Sequence, residues 1–181
     1  MPRNVEVKAR IASVEALLPV ARTLAEGDAV AIEQDDSFFA VPHGRLKLRQ
    51  FADGSAELIH YHRPDHAEAR ASDYVRVTAP DPAALREALA RANGLLGRVR
   101  KRRLLLMAGQ TRIHLDRVEG LGDFMELEVV LRPGQCDAEG LATAESLMKA
   151  LGLAAAPRLA GSYLDLLQAQ PAASPSSSGM A

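Results

Sequence analysis

The stretch GDFMELEVV, residues Gly122–Val130, places two glutamates inside an apolar run. Phe124, Leu127 and the final valines favour a β-strand. Glu126 and Glu128 are two residues apart, so on a strand both carboxylates leave the same face. A solvent-exposed polar face is common in antiparallel sheets, and the stretch by itself favours that interpretation. The alternative is a face on which the carboxylates bind something cationic, and the rest of the chain decides between the two.

Seven other segments have the composition of strands, and most carry one charged face. In NVEVKARI, residues 4–11, polar residues alternate with Val, Ala and Ile, and RLKLRQF (45–51) and TRIHLDRV (111–118) behave similarly. Such alternation is typical of strands with one buried and one polar face. The remaining candidates are EQDDSFFAV (33–41), AELIHYHR (56–63), SDYVRVTA (72–79) and GRVRKRRLLLM (97–107).

Four further segments predict helices. Ser13 can cap a helix that runs to about residue 26, with Pro19 as a kink. Asp81 and Pro82 begin a second helix, which Gly94 ends. The third predicted helix covers about 137–151, and a short fourth one, about 157–168, closes the domain.

The helices must cover the apolar strand faces, which carry Val7, Leu48, Leu115 and Leu127. The charged faces then point at one another across a lumen. The sequence therefore predicts an α+β fold: a closed eight-stranded antiparallel β-barrel with the helices packed outside. We assign residues 1–170 to one domain and the Pro- and Ser-rich residues 171–181 to a disordered tail. Concentrated charge in a lumen opposes folding, which indicates that it binds a ligand.

Composition narrows the function classes. The 181 residues carry a net charge of −1, so no overall positive field attracts nucleic acid or an anionic membrane. Cys136 is the single cysteine, which excludes an intrachain disulfide and a multi-thiolate zinc site and fits a reducing cytoplasm. The sequence shows neither an apolar run of membrane-spanning length nor a signal peptide. We therefore predict a cytoplasmic protein without a nucleic-acid or membrane partner.

The charged faces combine two chemistries. Carboxylates are hard ligands suited to Mg²⁺ or Mn²⁺, and arginine and lysine side chains suit phosphate oxygens. Such a lumen can hold a metal-bound polyphosphate, and phosphoryl transfer needs mainly positioning and charge neutralisation. The acids are Glu6, Asp116, Glu126 and Glu128, and the bases are Lys8, Lys47, Arg49, Arg112 and members of the run RVRKRR (98–103).

Three motifs carry a family resemblance. NVEVK (4–8), VRKRR (99–103) and TRIHLDRVEGLGDFMELE (111–128) resemble the CYTH superfamily of triphosphate tunnel metalloenzymes. The resemblance covers roughly residues 2–168 and is closest to the class IV adenylyl-cyclase-like branch, whose closing helix is similar to SYLDLL (162–167). It implies an enzyme that acts on a small triphosphate-containing molecule with Mg²⁺ or Mn²⁺.

The resemblance also implies residue roles. The metal ligands would be Glu6, Asp116, Glu126 and Glu128, and the catalytic residues would be Glu6, Lys8, Glu126 and Glu128. The triphosphate would contact Lys8, Lys47, Arg49, Lys101 and Arg103, with Arg112 and His62 as further candidates. His114 is interpreted as part of the lumen wall rather than as a general base.

Two positions depart from the family pattern. Asn4 stands where a glutamate is usual, which predicts weaker binding of one metal ion, and His62 stands where a lysine is often found. We predict hydrolysis of an inorganic, thiamine or nucleoside triphosphate. One alternative is a class IV adenylyl cyclase that makes cyclic AMP from ATP, although the sequence identifies no nucleoside pocket. The other is a non-catalytic polyphosphate- or nucleotide-binding module. The oligomeric state is left open, with a homodimer as one option.

Overall fold

The computed structural model describes residues 3–62 and 73–170. It confirms the α+β class and the eight predicted strands; the predicted tail at 171–181 lies outside the described residues. The strands are β1 (Asn4–Arg10), β2 (Glu26–Phe39), β3 (Arg45–Phe51), β4 (Ala56–His62), β5 (Asp73–Thr78), β6 (Leu95–Ala108), β7 (Thr111–Val118) and β8 (Gly122–Val130). The helices are α1 (Val14–Leu24), α2 (Pro82–Asn93), α3 (Asp137–Ala150) and α4 (Tyr163–Gln168).

All eight strands form one antiparallel sheet in the order β1-β8-β7-β6-β2-β3-β4-β5. The register aligns opposite charges across neighbouring strands. Lys8 pairs with Glu126, Asp36 pairs with Arg49, and Arg103 pairs with Asp116. Because side chains alternate between the two faces, these pairs fix which residues share the concave face of the sheet.

The first three helices cover the convex face. Val7, Leu115 and Leu127 are buried in one cluster with side chains of α1 and α3. Leu48 is buried in a second cluster under α2. The prediction that these four residues face outward beneath helices is therefore confirmed. Gly140 permits the close packing of α3, since a Cβ there would lie 2.8 Å from a Val5 methyl carbon.

The predicted closed barrel is wrong: the sheet is a curled half-barrel that stays open between its end strands β1 and β5. The outer edge of β1 is occupied by the segment that leads into α4. Ala9 forms a bridge with Arg158, and the Leu159 amide donates to the Lys8 carbonyl at 2.9 Å. The outer edge of β1 is therefore partly occupied near Lys8 and Ala9, and β1 does not pair with β5 in the described residues.

The fourth helix is shorter than predicted and lies on the other side of the sheet. It begins at Tyr163, behind a capping box of Ser162 and Asp165, because residues 158–159 run along β1 in extended form. Tyr163 and Leu164 pack with apolar side chains at one end of the concave face. Gly97 permits this approach, since a Cβ there would lie 2.6 Å from a Leu164 methyl carbon. The expectation that every helix packs outside is therefore corrected for α4.

Candidate functional site

A cavity of about 350 Å³ lies on the concave face and receives side chains from all eight strands and from α4. It brings together most of the predicted site residues: Glu6, Lys8, Lys47, Arg49, Lys101, Arg103, Arg112, Glu126 and Glu128. Asp116 lies behind the cavity wall and is fully buried. His62 is not brought to the cavity, because it is exposed and shares its strand face with His60 rather than with the cavity-lining Ile59 and Tyr61.

Asp116 holds two of the predicted phosphate-binding cations. Both of its oxygens accept hydrogen bonds from Arg103, at 2.6 Å each, and Lys101 Nζ lies 3.7 Å away. The Tyr163 hydroxyl donates to the same carboxylate at 2.8 Å. Burial acts to raise the pKa of Asp116, but Lys101 and Arg103 outweigh it and lower that pKa. The carboxylate is therefore charged and fully engaged, which favours a role in positioning the cations.

Asp36 likewise holds two cationic side chains, on the other side of the cavity. The sequence analysis did not identify this residue. It is 2% exposed and accepts hydrogen bonds from Lys47 at 2.8 Å and from Arg49 at 2.7 Å. The segment EQDDSFF has two adjacent aspartates and no alternation, so it does not reveal which of them faces inward. Asp35 points outward and binds Arg98. We call the six residues of these two ion-pair groups the paired clamp: Asp36, Lys47, Arg49, Lys101, Arg103 and Asp116.

The two lysines of the paired clamp have pKa values near neutral pH, so both their charged and their neutral forms are populated. Burial and neighbouring Arg103 lower the pKa of Lys101 to about 7. Burial and neighbouring Arg49 lower the pKa of Lys47 to about 8, against the attraction of Asp36. Burial also raises the pKa of Tyr163, which keeps its hydroxyl protonated beside Asp116. A polyanion in the cavity favours the protonated lysines and so gains two charged donors.

Glu126 lines the cavity between Lys8, Arg103 and His114. Its carboxylate lies 3.8 Å from Lys8 Nζ and 3.6 Å from Arg103 Nη2. Burial acts to raise the pKa of Glu126, but these cations hold that pKa well below its usual range. The buried His114 has Nδ1 3.9 Å from the same carboxylate, beyond hydrogen-bond distance, and burial lowers the pKa of its imidazole. The neutral ring fits the predicted wall role.

The far end of the cavity concentrates oxygen atoms. Glu6 and Glu128 are direct cross-strand partners, an arrangement that is unfavourable for like charges. Glu128 accepts hydrogen bonds from Arg112 at 3.0 Å and from the Asn4 amide nitrogen. Asn4 Oδ1 is buried and has no hydrogen-bond partner within the described part of the chain. We call Asn4, Glu6 and Glu128 the acidic end.

The acidic end fits a divalent cation by its chemistry. Two opposed carboxylates and an amide oxygen without a donor are the hard donors that Mg²⁺ and Mn²⁺ prefer. No three His, Cys, Asp or Glu side chains among residues 3–62 and 73–170 are already arranged around a metal position. Binding therefore has to draw on Asn4 or shift a carboxylate.

The concave sheet is therefore a half-barrel whose cavity is lined by both cationic and carboxylate side chains. The model of the CYTH domain family matches residues 2–163. The chain therefore belongs to the CYTH family, which confirms the resemblance of its motifs. Among curated proteins, none matches the sequence significantly. None of the described helices is long and apolar enough to cross a membrane.

Solved structures share the fold across nearly the whole chain. The PH1012 protein from Pyrococcus horikoshii is 24% identical with a TM-score of 0.81, and the match covers 91% of this chain and 99% of that one. A candidate adenylate cyclase from Vibrio parahaemolyticus is 20% identical with a TM-score of 0.75, covering 92% and 98%. A candidate adenylyl cyclase from Hippeastrum, described as having a dominant triphosphatase activity, is 16% identical with a TM-score of 0.66, covering 93% and 95%.

Proposed function

We propose that this chain is a divalent-metal-dependent enzyme that hydrolyses a triphosphate. The observation that carries the proposal is the shared cavity, in which Lys8 and the four cations of the paired clamp face Glu126 and the acidic end. Family membership supports phosphoryl chemistry on triphosphates. The triphosphatase activity described for the Hippeastrum protein favours hydrolysis over cyclisation.

In this proposal the cations bind the phosphate chain. Lys8, Lys47, Arg49, Lys101 and Arg103 contact its oxygens. Asp36 and Asp116 fix the direction of the two guanidinium groups before the substrate arrives, so little reorganisation is needed as charge develops. Asp116 was predicted as a metal ligand; its contacts with Arg103, Lys101 and Tyr163 lead us to propose the positioning role instead.

The oxygen donors of Glu6, Glu126, Glu128 and Asn4 hold the metal in this proposal. When bound, Mg²⁺ or Mn²⁺ supplies charge neutralisation at the phosphate oxygens and favours ionisation of a water molecule. The water oxygen attacks the terminal phosphorus, and the bond between that phosphorus and the bridging oxygen breaks. Phosphate is released with the remaining diphosphate, and Lys8 and the paired clamp neutralise the leaving group.

Product identity tests the proposal. Purified protein is assayed with ATP, thiamine triphosphate and inorganic triphosphate, each with Mg²⁺ and with Mn²⁺. We expect phosphate release that depends on the metal. Cyclic AMP and pyrophosphate as the main products from ATP, with inorganic triphosphate left intact, would instead identify a cyclase. Saturable binding of these molecules without turnover would leave the non-catalytic binding module.

A further inference from the structure

A second cavity lies on the convex face of the sheet, opposite the candidate site. Its volume is about 700 Å³, and outward-facing side chains of β2 and β6 form much of its lining, together with residues from α2 and from the turn after β7. Five arginines contribute to this lining: Arg86, Arg98, Arg100, Arg102 and Arg117. We call these five residues the arginine groove.

The run RVRKRR (98–103) contributes to both faces of the sheet. Lys101 and Arg103 are buried and line the candidate site. The alternate side chains of Arg98, Arg100 and Arg102 are 43%, 52% and 81% exposed and line the arginine groove. The net charge of the whole chain is −1, so this is a local concentration of positive charge that the proposed chemistry does not use.

Two arginines of the groove are firmly held by carboxylates of the protein. Arg98 donates two hydrogen bonds to Asp35. Arg117 donates hydrogen bonds to both Glu15 and Asp123, at 2.7 and 2.8 Å. Bidentate and doubly bridged guanidinium groups of this kind keep a fixed direction, so these two side chains belong to the frame of the groove.

The other three arginines are available to a ligand. Arg102 Nε lies 3.3 Å from Glu33, and Arg100 Nη1 lies 3.3 Å from Glu119, with all four side chains more than half exposed. Exposed pairs of this kind contribute little to folding, so their carboxylates can be exchanged for those of a ligand at small cost. Arg86 is half-buried on α2, and its guanidinium has no ion pair or hydrogen bond with the residues that the structure describes.

The spacing of the available arginines fits an extended peptide. Arg100 and Arg102 are two residues apart on one strand face, so their side chains leave the backbone about 6.8 Å apart. An extended peptide repeats its side chains on one face at the same interval, and each guanidinium can bind one carboxylate through two hydrogen bonds. Phe51 and Ala52 line the same groove and offer an apolar contact beside the charges.

Other occupants fit the groove less well. Three carboxylates, those of Glu33, Asp35 and Glu119, also line it and would repel the continuous phosphate backbone of a nucleic acid. A peptide can place neutral or basic residues opposite them. The chain's own residues 171–181 contain no aspartate or glutamate, so they do not supply an acidic segment.

We propose that the arginine groove is a docking site for an extended acidic segment of a partner protein. Arg86, Arg100 and Arg102 bind the carboxylates of the segment, and Arg98 and Arg117 keep the surrounding surface positive. The groove and the candidate site lie on opposite faces of the sheet, so docking requires neither metal nor triphosphate and does not depend on the proposed hydrolysis.

A peptide titration tests the docking site. The probe is a fluorescein-labelled peptide of alternating Glu and Ser, about 12 residues long so that it spans the groove. Its anisotropy is followed in EDTA at low salt, where no metal-dependent turnover occurs. We expect saturable binding that weakens as salt is added. The double variant Arg100→Gln/Arg102→Gln should bind the peptide about tenfold more weakly.

Two controls isolate the groove from general charge effects. The double variant Arg91→Gln/Arg132→Gln removes two exposed arginines outside the groove and so makes the same change in net charge. It should bind the peptide as the wild type does. A peptide with Gln in place of every Glu should not bind. Equal loss of affinity in both double variants, or no loss in either, would overturn the proposal.

A second pair of substitutions should act in the opposite direction. Glu33→Gln/Glu119→Gln removes the carboxylates that compete for Arg102 and Arg100, so it should tighten peptide binding about threefold. Damage to the fold cannot produce such a gain. Tighter binding of an oligothymidylate of similar length, or self-association of the protein that Arg100→Gln/Arg102→Gln abolishes, would identify a different occupant and refute the acidic segment.

Discussion

Most residues of the paired clamp and of the acidic end line the same cavity, but their charges are balanced differently. In the paired clamp, buried Asp36 and Asp116 each hold an arginine through two hydrogen bonds. In the acidic end, Glu6 and Glu128 stand opposite each other, and Asn4 Oδ1 has no partner in the described residues. The clamp is therefore organised without a ligand, whereas the acidic end keeps two like charges opposite each other, with Arg112 paired to Glu128.

The largest expected effect comes from unbalancing the paired clamp. Asp116→Asn leaves Arg103 and Lys101 buried without their carboxylate, and removal of one partner from a buried ion pair costs about 3–5 kcal/mol of folding free energy. Urea unfolding monitored by circular dichroism measures this loss. Glu119→Gln is the matched control, because it removes a carboxylate from an exposed pair with Arg100 and should change stability little. Wild-type stability in Asp116→Asn would show that the clamp is not organised by this residue.

The acidic end should respond in the opposite way. Glu128→Gln removes both a like-charge contact with Glu6 and a half-exposed ion pair with Arg112. These two losses oppose each other, so the metal-free variant should be about as stable as the wild type. Metal at about 100 times its dissociation constant stabilises a folded protein by about 2.7 kcal/mol, and the variant should lose most of this gain. Thermal unfolding with and without Mg²⁺ or Mn²⁺ tests both expectations. Equal metal-induced shifts in Tm in the two proteins would remove Glu128 from the metal site.

The two lysines of the paired clamp predict two effects of rising pH: the affinity for triphosphate falls, and the stability of the ligand-free protein rises. Triphosphate binding requires protonated Lys101 and Lys47, whose pKa values are about 7 and about 8, so affinity should fall about tenfold between pH 7 and 8. Calorimetry at several pH values measures this fall and the accompanying proton uptake. Lys101→Met should flatten the profile, and an equally steep profile in this variant would contradict the assignment.

For the ligand-free protein, folding lowers both pKa values from 10.5. The unfolded chain therefore binds more protons than the folded chain between about pH 7 and 10, and the contribution of these lysines to stability rises with pH in that window. It is lost as the pH falls through the folded-state values. Urea unfolding of the wild type and of Lys101→Met at pH 7 and 9 isolates the contribution of Lys101.

The smallest effect concerns Asn4. Asn4→Glu adds a third carboxylate to the acidic end, so it should lower the metal concentration for half-maximal rate by about threefold, within the usual size of a surface charge contribution. The same change should slightly destabilise the metal-free protein, because the Asn4 hydrogen bond to Glu128 becomes a repulsion. Rates measured across a metal titration test this, with Asn4→Gln as the uncharged control. A higher metal requirement in Asn4→Glu would refute the expectation.

Alternation along single strands was enough to predict much of the site. Glu126 and Glu128, Lys47 and Arg49, and Lys101 and Arg103 each reach the cavity as spacing of two requires. The pattern failed to identify Asp36, because Asp35 and Asp36 are adjacent and alternation does not show which of them faces the cavity. His62 turned outward because Ala56 and Leu58, on the same face of β4, pack toward α2.

Features that depend on long-range pairing could not be predicted locally. The sheet stays open, and residues 158–159 lie along the edge of β1, although nothing in the composition of residues 157–161 distinguishes an edge segment from a helix start. The register that places Tyr61 beside Tyr74, or Glu6 beside Glu128, is likewise set by how whole strands align. The roles of the site residues remain predictions that the experiments above decide.

The position of α4 also has a consequence for how the protein is made. Lys8 Nζ donates to the carbonyl of Gly161, a residue 153 positions further along the chain, and Tyr163 reaches back to Asp116. The strands can begin to pair while the chain is still being translated. Tyr163, which lines the cavity, is missing until residue 163 has left the ribosome. Contacts of such sequence separation also slow folding. Every nascent chain therefore passes through a stage in which all eight strands have been made but Lys8 and Asp116 still lack their contacts with Gly161 and Tyr163.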